Sequence, residues 1–309
     1  MTGSSPGGLF GRLFGGARSP DATPEPAPMI AVAPAPAPAP APTVPPSVFL
    51  GDHRVLTRTR HGVRMILDTR DIILTPILLL EGLWEPETTQ LLVDILKPGM
   101  NFVDVGANVG YFACLAGRLN RPGGKLWAFE ADPVTFEYLT DNVNLNWFFD
   151  DVELVHKAAY ETSGTLTLHQ RQKYKGNTSI GQTRQADLDT LRDASIAIEV
   201  AAVSLDDHFR ANDERIDLVK IDVEGAEPFV LRGMRGLIER QPEMRILFEW
   251  SPGQIRGVGE DPAGLLAVLD DFGFDLERVG TTLQPVDAAA LGGIGHAMVL
   301  ATRRATRVA

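Results

Sequence analysis

The sequence predicts an α/β fold: a doubly wound, mostly parallel sheet with helices on both faces. Three observations carry that expectation. From about residue 100 onward, short apolar runs of strand length alternate with segments of helical spacing. A glycine-rich turn joins one such run to a helix at Val103-Asp104-Val105-Gly106-Ala107-Asn108-Val109-Gly110. The chain has 309 residues, 44% of them hydrophobic, enough to bury a full core around such a sheet.

Taken in order, the elements begin after a change of composition near Ser47. Before it, prolines recur and alternate with alanine over 34–42. Proline lacks an N–H and forces the preceding residue into extended geometry, so 1–47 is expected to be a disordered, semi-rigid Pro/Ala-rich arm. An apolar run at 9–14 within it suits docking to a partner protein or a membrane edge. Residues 48–100 are read as an N-terminal extension packing on the domain that follows, with a hairpin over 54–67 around Gly62 and a helix over 86–96 that stops at Pro98-Gly99. Residues 101–309 form the ligand-binding domain. In it, strands at 102–105, 126–129 and 152–155 are separated by helices at 111–119 and 133–146. Further strands follow at 165–168, 198–203, 217–221 and 245–248, with helices at 228–238 and 262–272. The run 296–301 is expected to close the sheet as an edge strand, and 169–192 to form a long loop covering the site.

Charge and composition narrow the function. With 40 acidic and 29 basic residues the chain carries a net charge of −11, which argues against nucleic acid or an anionic membrane surface as the main partner. The apolar stretch 72–83 is interrupted by Thr75, Pro76, Glu81 and Gly82 and is too short to span a bilayer. No export segment is expected, because Gly11, Arg12, Gly15, Gly16 and Arg18 break up the N-terminal apolar residues. Cys114 is the sole cysteine, which excludes an intramolecular disulfide and fits a cytoplasmic location.

The chemistry is concentrated at strand ends. The turn after Asp104 has the spacing G-x-N-x-G, unlike the dinucleotide or P-loop patterns, and suits a neutral or cationic nucleoside. Glu130 ends the next strand, 20 residues past Gly110, where a carboxylate can accept both ribose hydroxyls. Lys220-Ile221-Asp222-Val223-Glu224-Gly225-Ala226-Glu227 crowds carboxylates at a third strand tip, and Glu249 ends a fourth. Such acids can raise one another's pKa, as a general base requires, or hold a divalent ion; Glu227 also reads as a helix-start acid. The histidines show no metal-ligand spacing, and no metal site is expected. His156 and His169 read as surface or structural residues with a secondary chance of reaching the site.

Together these segments, with Asn142-x-x-Leu145-Asn146, Ser204-Leu205-Asp206 and Gly82-Leu83-Trp84-Glu85-Pro86-Glu87, resemble the FkbM family of S-adenosylmethionine-dependent methyltransferases over roughly 50–250. The resemblance implies a Rossmann-like sheet and methyl transfer to an oxygen of a sugar, glycan or natural product. It implies that Asp104, Gly106, Ala107, Asn108 and Gly110 hold the methionine part of S-adenosylmethionine, that Glu130 holds the ribose, and that Lys157 and Ala158 lie near adenine. The first choice of base is Asp222, with Glu224 and Glu249 as alternatives. Two rival readings are a catalytically silent nucleoside-binding module with a docking arm, and a nicotinamide-dependent oxidoreductase, which the missing G-x-G-x-x-G opposes.

Overall fold

A computed structural model describes residues 46–304 apart from 147, 149, 212 and 213. The spacer and the apolar run at 9–14 lie outside those residues. The described chain begins with three antiparallel strands, β1 (Val48–Gly51), β2 (Arg54–Arg58) and β3 (Arg64–Asp68), then helices α1 (Leu74–Glu81) and α2 (Pro86–Ile95). Strand–helix repeats follow: β4 (Phe102–Val105), α3 (Tyr111–Leu119), β5 (Leu126–Phe129), α4 (Pro133–Leu145) and β6 (Val152–Val155). Next come β7 (Ala158–Ala159), β8 (Gly164–Arg171), α5 (Gln185–Leu191), β9 (Ser195–Val203) and α6 (Leu205–His208). The last third holds β10 (Leu218–Ile221), α7 (Glu227–Arg232), α8 (Arg235–Arg240), β11 (Arg245–Trp250), α9 (Pro252–Gly257) and α10 (Pro262–Asp271). It ends with β12 (Phe274–Arg278), β13 (Gln284–Pro285), α11 (Ala288–Gly292) and β14 (Ala297–Arg303).

The central sheet runs β13-β12-β14-β11-β10-β4-β5-β6, parallel from β11 to β6 and antiparallel at β14 and β12. Strands β4, β5 and β10 are buried on both faces, which is why they read as largely apolar runs without polar alternation. Alternate residues feed two cores. Val103, Val105, Val219 and Ile221 face α7, α8 and α10, while Phe102, Leu126 and Leu218 face the helices α1 to α4. Asp104 and Lys220, neighbours in register on β4 and β10, are the charged exceptions in this interior. Helix α4 starts where Asp132 Oδ1 accepts from Val134 N and Thr135 N, with Pro133 at the first helical position. The β2–β3 ribbon is tied to α4, since Ile66 N donates to Asn142 Oδ1 at 2.6 Å and Arg64 N to Asn146 Oδ1 at 3.0 Å.

The structure corrects several expectations. The strand anticipated at 296–301 is not an edge: β12 hydrogen-bonds to its far side. The strands near 165–168 and 198–203 pair antiparallel in a separate three-stranded sheet, β7-β9-β8, because strand pattern does not specify the partner. The helix anticipated over 228–238 is two helices separated at Gly233, where a Cβ would lie 2.1 Å from the Tyr160 carbonyl oxygen. The cover over 169–192 contains the end of β8, a short 3₁₀ turn and α5. Among the described residues no helix is long and apolar enough to cross a membrane.

Candidate functional site

The carboxyl ends of β4, β5, β10 and β11 open into a cavity of about 660 Å³. Its floor is the turn after β4. Gly106 N and Ala107 N donate to Phe129 O at 3.0 and 2.9 Å, and Asn108 N donates to Glu130 Oε2 at 2.8 Å. Gly106 has φ +79°, and a Cβ there would lie 1.8 Å from the Asp222 carbonyl oxygen. A Cβ on Gly110 would meet Leu139 Cδ1 at 2.6 Å. These glycines therefore serve close packing of the chain on itself, where the sequence suggested close approach of a ligand.

The anticipated site residues divide in two. Gly106, Ala107, Asn108, Glu130, Lys157 and Ala158 line the cavity, as do Asp222, Glu224 and Glu249. Asp104 and Gly110 are not among its lining residues. Asp104 is wholly buried beneath the turn, 3.9 Å from Lys220 Nζ, and neither of its oxygens has a hydrogen-bond partner of ordinary geometry among the described residues. Burial raises its carboxyl to about 6, with Lys220 opposing the rise. His156 stacks on Phe136, and neither it nor His169 lines the cavity.

Glu130 suits a ribose. Its Oε1 accepts from Asp132 N and its Oε2 from Asn108 N, both at 2.8 Å, which leaves each oxygen a second lone pair for a hydroxyl. Burial lifts this carboxyl to about 7.

Across the cavity stands an acidic wall. Lys220 Nζ donates to Asp222 Oδ2 at 2.7 Å and lies over the Phe112 ring. Glu224, in a left-handed conformation with φ +54°, accepts from Gln254 and from Asn177. Burial, then the charges of Glu249 and Asp222, hold its carboxyl well above the usual range. Glu249 pairs with His296 at 2.8 Å, and burial again raises its carboxyl despite that partner. Asp222, Glu224 and Glu249 each offer an oxygen within 4.8 Å of the others, a spacing a divalent cation can bridge; Lys220 already supplies positive charge to Asp222, and His296 does so to Glu249 when protonated.

Two further residues escaped the sequence reading. Glu85 caps α2 with φ +40°, and burial beside Asp222 raises its carboxyl to about 7. Its only sequence signal was the Trp84-Glu85-Pro86 run. His296 reaches the same rim because β14 runs antiparallel to β11, which sets the residue before its first position beside the end of that strand. The cover contributes Tyr174, Lys175 and Asn177, and Ser179 Oγ donates to the Glu224 carbonyl at 2.8 Å.

S-adenosylmethionine fits this chemistry. Glu130 has free lone pairs for a ribose, and the acidic wall suits a ligand bearing a sulfonium and an ammonium.

Known proteins share parts of this sequence and of this arrangement of strands and helices. Residues 104–276 match the model of the methyltransferase FkbM domain, more than half of the chain. Methyltransferase sdnD of Sordaria araneosa is 30% identical over 198 residues, covering 57% of this chain and 74% of that protein. Among solved structures, methyltransferase FkbM from Methylobacillus flagellatus KT aligns with a TM-score of 0.42 at 13% identity, over 69% of this chain and half of that one. Aeropyrum pernix fibrillarin, solved with natively bound S-adenosyl-L-methionine, aligns with a TM-score of 0.40 at 13% identity, over 81% of this chain and 94% of that one. The domain match runs from the buried Asp104 past the acidic tip of β11, through most of what builds the cavity, and it makes this chain a member of the FkbM methyltransferase family, with S-adenosylmethionine as its cofactor.

Proposed function

We propose that the chain methylates a hydroxyl oxygen on a polyhydroxylated small molecule, a sugar, glycan or natural product. One observation carries this reading. Glu85 Oε2, Glu249 Oε2 and Gln254 Oε1, all on cavity-lining residues, are buried acceptors without a donor among the described residues. A buried acceptor left unpaired costs about 1–3 kcal/mol, and a molecule rich in hydroxyls brings one donor to each.

When bound, S-adenosylmethionine supplies an electrophilic methyl group on a positively charged sulfur. Glu130 would hold its ribose, Lys157 and Ala158 would flank the adenine, and Gly106, Ala107 and Asn108 would support the methionine end, with Asp104 and Gly110 acting from behind the turn. Glu249, Glu224 and Glu85 orient the acceptor hydroxyls. Asp222, which Lys220 holds in place, would take the proton that the acceptor hydroxyl gives up as its oxygen gains the methyl group. We assign no metal to the site, since Lys220 sits against Asp222 and His296 against Glu249. In this arrangement 101–309 is the catalytic part, and 48–100 closes one wall through Trp84 and Glu85. The setting we propose is the cytoplasm, on the strength of the lone, buried Cys114.

The test is mass spectrometry of a hydroxylated acceptor panel incubated with protein and S-adenosylmethionine. A gain of one methylene on oxygen is expected, and Asp222→Asn should lower kcat by about 10²–10⁴ with cofactor affinity kept. Methylation on nitrogen or carbon would refute the hydroxyl acceptor. Cofactor binding without turnover on any acceptor would point to a silent binding module.

A further inference from the structure

A second pocket, of about 430 Å³, lies away from the cavity, lined by Arg58, Gly62, Val63, Arg64, Arg118, Asn146 and Phe148. Three of its residues are arginines and none is acidic, in a chain whose net charge is −11. The neighbouring arginines of the same region each have an acid: Arg54 pairs with Asp141, Arg60 with Glu81 and Arg70 with Asp68. Arg58 and Arg118 have no hydrogen-bonded or ion-paired side-chain partner among the described residues.

They nevertheless converge. Gly62 turns the β2–β3 connection with φ +80°, and the point its Cβ would occupy lies 3.6 Å from both Arg118 Cζ and Arg58 Nη2. Both side chains are exposed, and two guanidiniums that approach one point offer converging donors to an anion placed there. Arg64 is anchored beside them by donating to the Leu145 carbonyl at 2.5 Å, which leaves its other N–H groups to point elsewhere. The adjacent His61 feels the same field: burial first, and then Arg118, lower its pKa.

We propose that this pocket binds a phosphate group, taken up between the Arg58 and Arg118 guanidiniums with Arg64 at its edge. Guanidinium matches phosphate oxygens in paired, charge-assisted hydrogen bonds, and a dianion can accept from both side chains at once. Arg118 is in the last turn of α3, whereas the glycine turn of the cofactor site precedes its first, so the two sites are about 12 Å apart along the helix. The phosphate site is therefore separate from methyl transfer.

Calorimetry with pyrophosphate at low ionic strength tests the proposal, with vesicles containing phosphatidic acid as a second arm to separate a soluble phosphate from a lipid headgroup. The expected result is saturable binding in at least one arm, weakened by salt, not displaced by S-adenosylhomocysteine, and reduced at least about tenfold in Arg58→Gln/Arg118→Gln. The double variant should keep its S-adenosylhomocysteine affinity and melting temperature, which shows that it folds. No binding in either arm, or equal binding by wild type and the double variant, overturns the proposal.

Discussion

Replacing Lys220 with methionine isolates the electrostatics that join fold to site. Lys220 is buried on β10, 2.7 Å from Asp222 and 3.9 Å from its register neighbour Asp104. Asp104 shows the cost of the arrangement: burial moves its carboxyl from 3.8 to about 6 even with the ammonium present. That rise corresponds to about 3 kcal/mol against the native state at neutral pH. Lys220→Met keeps the side-chain volume but leaves both carboxylates unpaired, and breaking a buried pair costs about 3–5 kcal/mol, a large share of a domain's stability. The sign with pH follows. A carboxyl raised in the folded state binds its proton more tightly than in the unfolded chain. Its penalty is absent below about pH 4 and grows as pH rises through about 6. Without Lys220 the Asp104 carboxyl moves higher still, so the deficit of the variant should be largest near pH 8 and shrink toward pH 5. Urea denaturation monitored by tryptophan fluorescence at several pH values measures it. Adding Asp104→Leu should recover at least half of the loss, because an apolar pair replaces the stranded charge. A deficit below about 1 kcal/mol at pH 8, or one independent of pH, would refute the reasoning.

The remaining predictions concern the cavity. Glu130→Gln should weaken S-adenosylhomocysteine binding by about 1–3 kcal/mol in calorimetry. Since burial raises Glu130 to about 7, wild-type affinity should fall as pH drops from 8 to 6, and the Gln variant should lack that component. Gly106→Ala puts a Cβ against the Asp222 carbonyl at positive φ; it should lower the melting temperature by several degrees and kcat more than KM, because Asp222 is displaced. Equal kinetics would show that the turn relaxes without moving the base. Dialysis against a chelator should leave turnover unchanged if Lys220 and His296 are the site's counter-cations, and recovery on adding magnesium or manganese would assign the ion to Asp222, Glu224 and Glu249.

Local patterning was enough to place β4, α3, β5, β6 and the start of α4, because short apolar runs and an Asp-capped helix start followed by proline are written in adjacent residues. The acids at the strand tips were legible for the same reason: in a parallel sheet every such tip faces one rim. Four matters were decided only in three dimensions. The separate sheet of β7, β9 and β8 and the interior position of β14 depend on which strand edges meet, and an alternating pattern names a face without naming a partner. Glu85 and His296 joined the acidic wall through the placement of α2 and the antiparallel return of β14, across more than 130 residues of chain from Asp222 in the case of Glu85. Asp104 reads as a ligand-facing carboxylate at a strand end, yet its position on β4 points it at Lys220 in the core. The glycines of the turn were visible in sequence, but the atom each one makes room for, the carbonyl of Asp222 for Gly106 and Leu139 for Gly110, belongs to a segment far along the chain, so only packing could reveal it.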